Sequence, residues 1–94
     1  MDGYGGRASN ITRLAHEELR HAPRAYVNDI TDAIVNLADN PYPQGSRLIS
    51  MNMFILHSLE VGKDWHLYYS IETGAEDQSV IIHRVFYNKE YRVH

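Results

Sequence analysis

The chain has 94 residues, no cysteine, and nine Lys and Arg against twelve Asp and Glu, giving a formal net charge of −3 with neutral histidines. That length predicts one small domain burying ~60–65% of its unfolded surface, and the missing cysteines exclude disulfides and zinc–thiolate sites. The charge excludes a whole-molecule positive field for nucleic acid, so any such role must rest on a local patch.

No apolar run has the length of a signal peptide or of the ~20 residues that span a membrane. A soluble cytoplasmic protein without a membrane role is expected. Met1 to Ser9 carries Gly3, Gly5 and Gly6 without periodicity, which predicts a flexible N-terminal arm over 1–9 and a single domain over 10–94.

Asn10 suits a helix cap, and Ile11, Leu14, Ala15, Glu18, Leu19 and Ala22 follow at helical spacing, mostly apolar on one face. Pro23 breaks that run and suits the first position of a second helix. There Val27, Ile30, Ile34, Leu37 and Ala38 form an apolar stripe, with Asn28, Asp29, Asp32, Asn36 and Asp39 on the wet side. Asn40-Pro41 ends it, with Asn40 as a left-handed cap, and Pro41-Tyr42-Pro43-Gln44-Gly45 is a turn.

After Gly45 the period becomes two. Ile49 to Val61 predicts a strand interrupted around Ser50–Asn52, and Gly62-Lys63-Asp64 a hairpin connection. From Asp64 to Ile71 the residues alternate, with Trp65, Leu67, Tyr69 and Ile71 inward and Asp64, His66, Tyr68 and Ser70 outward. Val80 to Tyr87 is the most β-branched run and suits a central strand. Two helices followed by a three-stranded antiparallel meander predict an α+β sandwich with helices on one sheet face.

Three stretches of this chain carry a resemblance. One is Pro23…Ile30…Ile34…Leu37…Asn40-Pro41…Pro43…Gly45…Leu48. A second is Val61-Gly62…Trp65-His66-Leu67-Tyr68-Tyr69. The third is Arg84-Val85-Phe86-Tyr87…Tyr91. In order and spacing they resemble the second helix, the Val-Gly hairpin with its Tyr-Arg-hydrophobic-hydrophobic-Tyr strand, and the last strand and tail of the RelE/ParE superfamily of type II toxin–antitoxin toxins. The resemblance spans about residues 20–92.

It implies a RelE-like fold: strand, helical hairpin, then three antiparallel strands. RelE-branch toxins cleave messenger RNA on the ribosome without metal or cofactor, the 2′-hydroxyl attacking the neighbouring phosphate, and they stop growth. ParE-branch toxins bind DNA gyrase instead. Both are neutralised by a cognate antitoxin protein. A catalytically degenerate protein-binding module on the same fold is a further alternative.

The chain departs from the family pattern where the chemistry sits. Glu60 and His66 stand where the family usually carries arginines, Lys63 lengthens the hairpin by one, and the first strand has no clear counterpart in Met1–Asn10. Arginine grips phosphate bidentately and stays charged, whereas histidine does so only when protonated.

His66, His83, Tyr87 and Tyr91 are the candidates for proton transfer, and Lys63, Arg84, Lys89 and Arg92 for phosphate or RNA binding. Strict alternation puts His83 and Arg84 on opposite faces, and Arg84 is equally suited to pairing with a buried carboxylate. His57, His66 and His83 lack any metal-binding spacing, and His16 and His21 do not share a helix face, so no metal is expected.

Overall fold

In the computed structural model, residues 7–51, 54–74 and 78–88 are described. The elements run β1 (Arg7–Ile11), α1 (Arg13–Arg20), α2 (Arg24–Asp39), β2 (Arg47–Met51), β3 (Phe54–Val61), β4 (Trp65–Thr73) and β5 (Gln78–Tyr87).

Two helices lie against one face of a five-stranded mixed sheet of order β1-β5-β4-β3-β2. Strands β2 to β5 form an antiparallel meander, and β1 joins its far edge parallel to β5. The α+β sandwich is as expected, but the meander has four strands rather than three, and a first strand is present.

Residues 7 to 9, inside the stretch expected as an arm, belong to β1. Five residues with Arg7, Ser9 and Asn10 among them give no periodic signal, so only their register against Gln78 to Ile82 defines them. The start of α1 shifts accordingly. Thr12, not Asn10, is the N-cap: its hydroxyl accepts from Ala15 N at 3.2 Å, while Ile11 ends β1.

Helix α1 buries Ala15 completely, and the small side chain lets the helix approach β5 closely; Leu19 and Ala22 pack beside it. Leu14, placed on the apolar face by spacing, is exposed. Pro23 is the N-cap of α2 rather than its first residue. The stripe of α2 narrows to Ile30, Ile34 and Leu37, one turn apart and buried.

Asn40 ends α2 in an extended conformation (φ −140°), not a left-handed one, and its side-chain oxygen accepts from Tyr42 N at 3.1 Å. That Asx turn starts the Pro41–Gly45 reversal, in which Gly45 takes φ +93°.

The run expected as one interrupted strand is a hairpin, β2 pairing with β3 from Arg47↔Ser58 to Met51↔Phe54. The core joins Ala15, Ile30, Ile34 and Leu37 of the helices to Val61, Trp65, Leu67, Tyr69, Val80, Ile82 and Val85 of the sheet. Each large aliphatic side chain buried there contributes about 1.5–3 kcal/mol. Tyr69 is fully buried, and its hydroxyl donates to the Pro41 carbonyl at 2.8 Å, tying β4 to the end of α2. No helix among the described residues is long and apolar enough to cross a membrane.

Candidate functional site

The core residues of β5 change phase within the strand. Val80 and Ile82 point to the helices and so does Val85, three residues on rather than two. The cause is a β-bulge. Tyr68 pairs with Arg84 but Tyr69 pairs with Ile82, which leaves His83 as the extra residue.

Alternation therefore fails at this point, and His83 and Arg84 are not separated by the sheet. His83 turns to Ser70 of β4, its Nε2 lying 2.8 Å from the Ser70 hydroxyl. The bulge backbone is held from α1: Thr12 N donates to the Ile82 carbonyl at 3.0 Å and Thr12 Oγ1 to the His83 carbonyl at 3.4 Å.

The sheet face turned away from the helices thus gathers His66, Tyr68 and Ser70 from β4 with His83, Arg84 and Phe86 from β5. Phe86 is its centre. His66 stacks on it (centroids 5.3 Å, 30°), Tyr68 meets it edge-on (5.0 Å, 78°), and the Arg84 guanidinium lies 5.4 Å from its centroid.

His66 lies on the face that alternation assigns it but is only 5% exposed, and its Nε2 sits 3.3 Å from the Asn88 carbonyl. Alternation places it outward, where the Phe86 ring stacks on it. Glu60 pairs across β3–β4 with His66, and its carboxylate accepts from Asp64 N at 3.1 Å inside the hairpin.

Arg84 carries the main electrostatic feature. Its Nε donates to Glu18 Oε2 at 2.9 Å and its Nη2 to the same oxygen at 2.7 Å, while Glu18 Oε1 accepts from Val85 N at 2.7 Å. Strand β1 ends at Ile11, opposite Ile82, so beyond it β5 has no strand neighbour on that edge among the described residues. The Glu18 carboxylate takes the place of a strand carbonyl there. The hydrogen bond to Glu18 raises the guanidinium pKa above its ordinary value, against some desolvation. Arg84 thus forms the carboxylate pair that its sequence position allowed.

The other predicted residues divide. Lys63 is exposed at the tip of the β3–β4 turn, between Gly62 (φ +62°) and Asp64 (φ +71°). Tyr87 is 52% exposed and packs on Trp65 at 5.5 Å on the helix side of the sheet, so it does not join His66 and His83. Lys89, Tyr91 and Arg92 lie outside the described residues.

His57 is on the helix side as well, stacked on Tyr69 at 5.3 Å and 21°, apart from His66 and His83. Burial pushes its pKa down. Among the described residues no three His, Cys, Asp or Glu side chains converge as a metal site. Sequence reasoning did not single out Phe86, Ser70 or Glu18. Glu18 did leave a signal: a carboxylate in the middle of the apolar stripe of α1 needs a buried partner.

No family model and no curated protein matches the chain. Solved structures do. One chain of the toxin–antitoxin complex RelBE2 from Mycobacterium tuberculosis superposes with a TM-score of 0.73 at 19% identity, over 88% of this chain and 99% of that one. The archaeal RelE–RelB complex from Pyrococcus horikoshii gives 0.72 at 15% identity, over 93% and 99%. A YoeB/ParE toxin from Agrobacterium tumefaciens gives 0.69 at 14%, over 85% and 96%. The chain has the RelE/ParE toxin fold.

Proposed function

We propose that this chain is the toxin of a type II toxin–antitoxin pair, acting as a metal-independent endoribonuclease on messenger RNA at the translating ribosome. Two of the similar structures are toxin–antitoxin complexes, which supports a cognate antitoxin as partner. The observation that carries the catalytic part is the bulge, which sets His83 and Arg84 on the same sheet face as Tyr68 and His66.

The chemistry needs a base, a cation and an acid. The His83 imidazole takes the proton of a ribose 2′-hydroxyl, and that oxygen attacks the adjacent phosphorus. The bond to the 5′-oxygen breaks, leaving a 2′,3′-cyclic phosphate. The departing oxygen takes a proton from the Tyr68 phenol or from protonated His66. Arg84, shared with Glu18, sits beside Tyr68 where charge builds on the phosphate, and Lys63, Lys89, Arg92 and Tyr91 are further groups for the RNA backbone.

The test is a cell-free translation extract supplied with the purified protein. Translation stops and new messenger ends carry 5′-hydroxyl groups; an extract that keeps translating with intact messenger overturns the proposal.

A second reading is a ParE-like toxin that binds DNA gyrase. The Arg84 charge is committed to Glu18, which leaves the face poorer in free cations among the described residues, and Tyr87, turned onto Trp65, brings no proton-transfer group to it. This reading predicts that gyrase supercoiling is blocked while translation continues.

A further inference from the structure

We infer that Ser70 is a positioning residue for His83: its hydroxyl accepts from Nε2–H and leaves the lone pair of Nδ1 as the base. The inference rests on the ribonuclease reading and deepens it.

Three features of the structure converge on this pair. The 2.8 Å contact joins two adjacent strands, so the ring is anchored to β4 as well as to β5. The bulge that frees His83 from the pleat is pinned by Thr12 at two successive carbonyls, so the backbone beneath the ring is fixed. Among the described residues, the Ser70 contact is the one hydrogen bond of the ring, and none of them competes for Nδ1.

A neutral imidazole has one donor and one acceptor nitrogen, and the bond made by one sets the role of the other. The Nε2–H form is the intrinsically favoured tautomer of neutral histidine. A hydroxyl accepting from Nε2–H stabilises that form and remains an acceptor once Nδ1 has taken its proton. The same hydroxyl therefore serves the base before and after proton transfer. Charged and titratable groups on the strands around the ring are Tyr68 and Glu72 from β4 and Arg84 from β5, the last neutralised by Glu18 of α1.

The experiment pairs nitrogen NMR of histidine-labelled full-length protein with cleavage kinetics, on the wild type, Ser70→Ala and Ser70→Thr. In the wild type near pH 8, His83 shows a protonated Nε2 and an unprotonated Nδ1. Ser70→Ala mixes the tautomers and lowers kcat about three- to tenfold with KM unchanged. Ser70→Thr restores the wild-type tautomer and rate.

A protonated Nδ1 in the wild type overturns the inference, as does a Ser70→Ala protein with unchanged tautomer and rate. A wild-type protein that leaves messenger uncut overturns the ribonuclease reading and this catalytic role together. The NMR spectrum then still reports the Ser70–His83 bond by itself, so the two failures are told apart.

Discussion

Glu18 and Arg84 meet across 66 positions of sequence, and the same carboxylate that binds the guanidinium also accepts the Val85 amide, 2.7 Å away. One side chain thus closes the free edge of β5 and neutralises the cation nearest Tyr68.

Removing it separates the two roles. Glu18→Ala strands the Val85 amide and costs about 1–3 kcal/mol. The ion pair adds little to that, because the Arg84 side chain is 44% exposed and water screens it. Glu18→Gln keeps an acceptor for Val85 and costs less than the alanine variant. Urea unfolding of the three proteins gives the order wild type, Gln, Ala; a Gln variant as weak as Ala would contradict the edge-capping role.

The same Glu18→Gln change releases a positive charge onto the candidate RNA face. Affinity for single-stranded RNA rises and its salt dependence steepens by about one phosphate contact. A salt titration of RNA binding reads both. Unchanged affinity would show that Arg84 does not face the nucleic acid.

Side chains on the two faces of the sheet should answer differently to mutation. His83→Gln and Tyr68→Phe each lower cleavage by roughly 10²-fold, the usual worth of an acid or base. Tyr87→Phe, whose ring lies against Trp65 on the helix side, leaves the rate within about twofold. Single-turnover cleavage of a short messenger compares them. A Tyr87→Phe loss as large as that of His83→Gln would place the site elsewhere.

Two rings on the helix side of the sheet make stability depend on pH. Desolvation holds His57 below 6.5 in the folded protein, so the unfolded chain binds its proton first and stability falls as pH drops below about 6.5. Desolvation raises Tyr69 above 10, with a smaller contribution from Tyr42 against a lowering by the Ser46 hydrogen bond. The unfolded phenol ionises first, so stability falls again as pH rises past about 10. His57→Gln flattens the acid slope and Tyr69→Phe the alkaline one. Tyr69→Phe also costs about 1 kcal/mol for the lost bond to Pro41. Thermal melts from pH 5 to 11 measure both.

The sequence shows helix α2 and strand β4 because each is long enough to repeat its period, and strand β5 because its run is β-branched. Sixteen residues display the Ile30, Ile34, Leu37 stripe, the nine of β4 alternate, and the ten of β5 carry the β-branched run. Strand β1 is too short for a pattern, and its partner is the most distant strand in sequence. The β2–β3 reversal is hidden because the apolar run from Leu48 to Leu56 carries little turn chemistry beyond Asn52.

Local spacing also hides the site's main device. A bulge changes which face a residue takes without any composition signal, so His83 and Arg84 look separated when they are not. Glu18 was legible only as an anomaly, a charge where a hydrophobe belongs.

The parallel pairing of β1 with β5 has a consequence for synthesis. Strand β1 waits for β5, the strand of this sheet furthest from it in sequence, and the Thr12 cap that pins the bulge finds its carbonyls only then. Closing so long a loop is slow and cooperative. A nascent chain halted before Gln78 therefore lacks both the pairing of β1 and the His83 bulge, and the candidate face comes into being only once β5 has left the exit tunnel.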